Sequence, residues 1–242
     1  LPISKKMEAL YIVEASRSTN AYIQSRTFPS YADEWLSQKR ETIMPNTYRP
    51  YVQYIKTAKE RFKHFRMGDI QKHMLAKYFD DLKKGLIGPA RKGGVSNTTI
   101  SKQFFVLRNL FFDALEHDSP MTNMNPPKKE TKETVIPTEA QAKAVIGHFA
   151  KDLDMTIILV LAIDYAMRAG EIFALEWADI RKGSVRVNKS IKQAIDKEWV
   201  IGPPKSKAST RTLTVSSDVD ALFDRKRAAD GTLKLSGSIF PF

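Results

Sequence analysis

Between Asn125 and Pro137 the chain loses its apolar periodicity. The run Asn-Pro-Pro-Lys-Lys-Glu-Thr-Lys-Glu-Thr, closed by Pro137, offers little to bury, and its prolines interrupt helix and strand alike. The residues on either side must therefore each build a core of their own, joined by a polar linker over 125–136. With 242 residues, 42% of them hydrophobic, there is enough chain and enough apolar material for two cores. The expected organisation is a helical segment over 1–26, a domain over 27–124, the linker, and a second domain over 137–242.

Before the linker the spacing is helical throughout. Met7, Leu10, Tyr11 and Ala15 predict a short amphipathic helix within 4–25. Phe28, Tyr31, Ala32, Trp35 and Leu36 predict the next helix, and Tyr48, Tyr51, Val52, Ile55 and Phe62 another from about Thr47, with Pro50 tolerated in its first turn. Met74, Leu75, Tyr78, Phe79 and Leu82 mark a further helix. After the glycine-rich basic loop over 85–94, Ser96 or Asn97 caps a long one carrying Ile100, Phe104, Leu107, Phe111 and Leu115. Four helices with short connections make a bundle between Phe28 and Leu115.

After the linker the period changes. Thr138 caps a helix with Ala142, Val145, Ile146 and Phe149, and the segment from Asp152 is apolar nearly all round, which predicts a helix at the centre of a core. Beyond Trp177, Val185 and Val187 alternate with polar residues, Trp199 to Ile201 reads as a second strand, and Leu213 with Val215 as a third; a helix over about Asp218 to Ala229 follows. The fold class is therefore mainly α with a small antiparallel sheet.

Cysteine is absent, which excludes disulfides, thiolate zinc sites and a thiol nucleophile, and there is no phosphate-binding glycine loop or metal-ligand spacing. No cofactor is expected. The longest apolar stretch, around Met155 to Ile163, is closed by Asp154 and Asp164 and is too short for a bilayer, so no membrane is expected as a partner, and a cytoplasmic location fits. The 39 lysines and arginines exceed the 27 acids by +12, and the residues up to Thr134 carry +9 of that excess. Such a balance points to a polyanion, above all nucleic acid, bound mainly by the first domain.

The segment Ala162-Ile163-Asp164-Tyr165-Ala166-Met167-Arg168-Ala169-Gly170-Glu171-Ile172-Phe173-Ala174-Leu175-Glu176-Trp177-Ala178-Asp179-Ile180 resembles the first catalytic box of the tyrosine recombinases, the phage integrases. In that family an arginine ending a buried helix is followed three residues on by an acid, then by Leu-x-Trp-x-Asp-Ile. The departures are Tyr165 and Ala166, where a Thr-Gly pair is common, and Glu176, where arginine is frequent. Pro204-Lys205-Ser206-Lys207-Ala208-Ser209-Thr210-Arg211-Thr212-Leu213 is similar to the family's β-hairpin box, and Ile239-Phe240-Pro241 to the segment that follows it. The first bundle, opening Thr27-Phe28-Pro29 and closing Asn125-Pro126, is similar to the core-binding (SAM-like) domain. Residues 3–25 resemble the helix that ends an arm-site-binding domain.

The resemblance implies a four-helix core-binding bundle followed by an α+β catalytic domain, C-terminally incomplete. The implied protein is a site-specific recombinase of a mobile element that breaks and rejoins double-stranded DNA through a 3′-phosphotyrosine, as a homotetramer on paired sites, without metal or other cofactor. Bacterial or phage origin and nucleoid association follow from it. Arg168 would bind a non-bridging phosphate oxygen pair, since its planar fork stays charged; a plain surface pair with Glu171 or Asp179 is the alternative. Glu171 would orient it. Lys205 would protonate the leaving 5′ oxygen, with Lys207 the other choice and a solvated basic turn the plain reading of both.

No histidine among His64, His73, His117 and His148 has arginine three residues on, and all eight tyrosines lie at or before Tyr165. The His-x-x-Arg box and the nucleophile are thus expected downstream of Phe242, and residues 1–242 alone are expected to bind DNA without cutting it. Phosphate contacts are expected from Lys56, Lys59, Arg61, Lys63, Arg91, Lys92, Lys102, Arg108, Lys207 and Arg211, each of which also reads as a solvated surface residue. The alternatives are a non-catalytic architectural relative that keeps the fold, and a helical transcription regulator, which the strands after Trp177 disfavour.

Overall fold

The computed structural model describes residues 21–88, 94–128, 133–193, 198–204, 209–231 and 237–240. The helix expected within 4–25 lies outside them except for a helical turn over 21–25. The chain divides into two compact units, Leu1–Lys132 and Glu133–Phe242.

In the first unit the local signals place the helices. Thr27 caps α1 (Phe28–Thr42), its hydroxyl accepting from Ser30 N, and Pro29 presets the opening turn. α2 (Pro45–Arg61) starts earlier than its apolar stripe predicts, because Pro45 supplies a helical φ ahead of the first buried residue. Pro50 consequently sits inside the helix and not in its first turn, so the ladder lacks the N–H that would have bonded the Asn46 carbonyl. α3 (Lys72–Lys83) and α4 (Asn97–Leu115, capped by the Ser96 hydroxyl) complete the set.

The bundle core is aromatic. Phe28 packs edge-on to Phe62 and against Phe111, Phe62 meets Tyr78, and Trp35 stacks on Tyr51 with ring centroids 5.8 Å apart. Two polar ties fix its register: Trp35 Nε1 donates to Asp113 Oδ2 (2.8 Å), and buried Gln103 donates to the Tyr54 carbonyl and the Tyr78 hydroxyl.

The second unit begins with α5 (Glu139–His148), closed by a reciprocal capping box between Thr138 and Gln141. α6 (Leu153–Ile163) follows, then the single turn α7 (Ala169–Ile172). β1 (Ile180–Arg181), β2 (Ser184–Val187) and β5 (Arg211–Thr214) form an antiparallel sheet in the order β1-β2-β5. β3 (Ser190–Gln193) and β4 (Trp199–Gly202) form a separate two-stranded ribbon, and α8 (Ser217–Ala229) comes last. Val185, Val187, Val219 and Phe223 bury one face of the sheet against α8, and Trp177 meets Phe223 edge to face. Ile239 and Phe240 are buried, and their segment pairs back on the first box: Ile239 N donates to the Leu175 carbonyl and Trp177 N to the Gly237 carbonyl, both at 3.1 Å.

Three expectations change. α6 is not enclosed on every side: only Ile157 and Leu161 are fully buried, and Ile163 is 42% exposed, because its neighbours cover part of its circumference. β3 has no strand signal, since Ser-Ile-Lys-Gln holds one apolar residue and all four positions are half-buried. And β4 pairs with β3, not β5, so the loop after Gly202 crosses between two sheets instead of turning a hairpin.

Candidate functional site

The first box is aimed by a backbone reversal. α6 ends at Ile163, and Ala166 takes a left-handed φ of 50°, which lets Met167 N reach back to the Leu161 carbonyl at 3.1 Å. The family's usual glycine would meet that conformation at less cost. The neighbouring departure also has a use: the Tyr165 hydroxyl accepts from Ser216 N (3.0 Å), tying the end of α6 to the start of α8.

Arg168 then caps α7 with extended backbone, and Glu171, three residues on, folds back onto it. Glu171 Oε2 accepts from Arg168 N (3.1 Å), and Oε1 accepts from Arg168 Nη1 (2.9 Å). Arg211, the first residue of β5, reaches the same carboxylate: Nη2 donates to Oε2 at 2.9 Å and Nη1 to Oε1 at 3.3 Å. Arg211 also donates to the Ser209 carbonyl. One buried carboxylate thus joins two arginines that lie far apart in sequence. Burial by itself raises the Glu171 pKa, but the hydrogen bonds from Arg211 and Arg168 and the Arg211 charge outweigh it and hold the carboxyl below its ordinary range.

The two arginines differ in what remains available. The Arg168 side chain is 72% exposed, with Nη1 engaged and the rest of its fork facing outward, whereas Arg211 is 28% exposed and held through both terminal nitrogens. Gly170 lies between Arg168 and Glu171, and β3 runs over it: a Cβ there would lie 2.7 Å from Ser190 Oγ and 2.9 Å from the Ile191 carbonyl. That close approach demands glycine. The Glu171 pairing makes the expected Arg168–Glu171 ion pair real, while leaving the guanidinium edge open.

A second ionic cluster, which the sequence reading missed, backs the box. Lys189 Nζ lies 2.6 Å from Glu176 Oε2 and 3.0 Å from Asp179 Oδ2, and Asp179 in turn accepts from Glu176 N. Burial alone lowers the Lys189 pKa, but its hydrogen bonds to both acids outweigh that and raise it. Glu176, a departure from the family pattern, therefore has a cation beside it. The motif flagged the two acids, but nothing in the sequence singled out Lys189 as their partner.

The basic residues of the first unit separate by partner. Lys59 is held by Asp33 at 2.6 Å, and Arg61 lies 3.4 Å from buried Asp81, so both lock helices together. Lys56, Lys63 and Lys102 are exposed and have no ion pair among the described residues; Arg108 is exposed with its guanidinium over Phe112. Arg91, Lys92, Lys205 and Lys207 lie outside the described residues.

The described residues thus form a helical bundle with exposed cations, joined to an α+β unit in which a buried carboxylate holds a largely exposed arginine. Residues 27–83 match the family described as Phage integrase, N-terminal SAM-like domain. The ICEBs1 integrase of Bacillus subtilis (strain 168) is 24% identical over 240 residues, covering 96% of this chain and 62% of the relative. The Tn1549 transposon integrase, solved in complex with transposon right end DNA, superimposes with a TM-score of 0.67 at 15% identity, over 84% of this chain and 65% of that one. A lambda integrase dimer bound to a COC′ core site gives 0.63 at 15% identity, over 92% and 59%. The chain shares the fold of these integrases and is similar to the phage integrases over its first domain, and it spans less than two thirds of the length of these relatives. Its mainly helical fold with a small antiparallel sheet is the fold of those integrases.

Proposed function

We propose that these residues form the DNA-holding domain and the leading part of the catalytic domain of a site-specific DNA strand-exchange enzyme from a mobile element. The observation that carries this reading is the exposed Arg168 fork, fixed by a buried Glu171 that Arg211 holds from behind. A phosphodiester repels nucleophiles, and a metal-free route to its cleavage needs preorganised cations at the non-bridging oxygens. Arg168 supplies one, and because Glu171 already fixes it, little is lost in ordering it when DNA arrives.

In this reading Glu171 orients Arg168 and transfers no proton, and Arg211 acts through Glu171 in addition to, or in place of, a phosphate contact. Lys205 protonates the leaving 5′ oxygen, with Lys207 as the other choice. The attacking tyrosine, which forms the 3′-phosphotyrosine, and the His-x-x-Arg box are supplied from outside residues 1–242. Lys56, Lys63, Lys102, Arg108, Arg91 and Lys92 hold DNA phosphates as a group, while Lys59 and Arg61 serve mainly the bundle. Double-stranded DNA is the partner, and assembly as a tetramer on paired sites is supported by a lambda integrase tetramer bound to a Holliday junction, which shares the fold at a TM-score of 0.60.

The test is Arg168→Ala in the full-length protein on a suicide duplex. Covalent adduct should form about 10²- to 10³-fold more slowly, with DNA affinity changed less than about tenfold. An Arg168→Ala protein that cleaves at the unsubstituted rate would refute the assignment.

A further inference from the structure

The β3–β4 ribbon is seated on the arginine box without help from the main sheet. It forms a ladder of its own, and among the described residues no strand pairing joins it to β1, β2 or β5. Yet β3 crosses α7 closely, with Ser190 and Ile191 against Gly170, between Arg168 and Glu171. Only Asn188 and Lys189 separate that crossing from the end of β2, where Val187 is buried in the core. What holds β3 down must therefore act through side chains, and the cation immediately before Ser190 is placed to do so.

Lys189 reaches back to the turn that follows α7. Its Nζ lies 2.6 Å from Glu176 Oε2 and 3.0 Å from Asp179 Oδ2. Those two acids close the single turn Trp177–Asp179 as a reciprocal capping box, each side chain accepting from the other residue's backbone N–H. The turn itself is fixed, since Trp177 is buried against Phe223 and Asp179 is only 6% exposed. Ile172, Ala174 and Leu175, which connect it to α7, are all buried. A closed circuit results: α7 leads to the turn, the turn holds Lys189, Lys189 leads into β3, and β3 lies on Gly170 of α7. The Lys189 side chain is itself mostly covered, so solvent screens its link to Asp179 less than it would a surface pair.

We propose that Lys189 is a positioning residue for strand cleavage: by clamping β3 onto α7 it fixes the turn from which Arg168 meets the phosphate. It touches neither the DNA nor the reacting atoms and acts through Arg168, so it rests on the role given to Arg168 above. The arginine fork must meet the non-bridging oxygens in the transition state, and a displacement of about 1 Å is enough to lower a rate by up to about 10²-fold. Affinity for the duplex, spread over many phosphate contacts, is much less sensitive to the same displacement.

The test uses the full-length protein on a suicide duplex, with single-turnover cleavage at saturating protein measured beside the anisotropy of a fluorescein-labelled duplex. Lys189→Met should lower the saturated rate about ten- to hundredfold while changing DNA affinity less than about threefold, and Lys189→Arg, which keeps the charge, should recover most of the loss. In an Arg168→Ala background Lys189→Met should cost less than about threefold more, because the group it acts through is gone. Lys189→Met also leaves Asp179 covered without its cation. Should that variant not fold, Lys189→Met combined with Asp179→Asn removes the orphaned charge, and this pair should fold yet cleave slowly, since the clamp is still missing. An unchanged saturated rate, a loss seen only as weaker binding, an equal factor in both backgrounds, or a neutral pair that cleaves at the unsubstituted rate would each overturn the positioning role while leaving Arg168 its own. Arg168→Ala cleaving at the unsubstituted rate would instead remove the reading beneath it, and the proposal with it.

Discussion

Replacing Glu171 with glutamine removes one charge and leaves the shape, so it isolates what the carboxylate does. Glu171 accepts four hydrogen bonds, two from Arg211 and two from Arg168. Hydrogen bonds to charged groups contribute about 1.5–3 kcal/mol each when buried, but Arg168 is 72% exposed and solvent screening reduces its ion pair to under about 1 kcal/mol. Arg211 is mostly covered, and glutamine would turn an amide donor toward one of its nitrogens. The sum is a loss of about 2–3 kcal/mol, or a drop of roughly 10 °C in the unfolding midpoint for a unit of this size. The pH dependence distinguishes charge from packing. The folded carboxyl lies below its ordinary value of 4.5, so its contribution is complete above that value and is lost as pH falls through the lowered one. Urea unfolding of the second unit, followed with and without Glu171→Gln, should therefore show a constant gap above about pH 5.5 that narrows in stronger acid. A gap under about 0.5 kcal/mol, or one equally wide at about pH 3.5 and pH 7, would show that the carboxylate is not the tie between the two arginines.

Ala166→Gly should raise stability by about 0.5–1 kcal/mol, because relief of the left-handed strain outweighs the entropy that glycine adds to the unfolded chain; a lowered midpoint in a thermal scan would contradict the reading of Ala166 as strained. Gly170→Ala should cost about 1–3 kcal/mol in urea unfolding, since Ser190 and Ile191 must retreat. Unchanged stability would mean that β3 yields freely at that crossing.

The helices were legible because burial in a bundle imposes one period over many residues. Phe28, Tyr78, Phe104 and Phe111 fell where their spacing put them, and Ser96 and Thr138 capped where expected. The ribbon was half legible: Trp199 to Ile201 read as a strand by composition, while Ser190–Gln193 carried no pattern because backbone pairing and the contact at Gly170 define it. The start of α2 was displaced because proline acts on backbone geometry without contributing to the apolar stripe.

The site divides along the same physical line. Arg168 and Glu171 could be paired from sequence because three residues on a helical turn fix their distance in advance. Arg211 could not, since its place depends on β5 lying against β2 in the register that pairs it with Val187. The same holds for Lys189, Lys59 and Arg61, whose acids are brought to them by the tertiary fold. Net charge counts every cation alike, but the fold spends these four, along with Lys226 between Asp154 and Asp230, on internal ties. Each such tie takes an acid out of play together with its cation, so the +12 excess survives, and the steepness of binding with salt should follow the cations left outside these ties and not all 39.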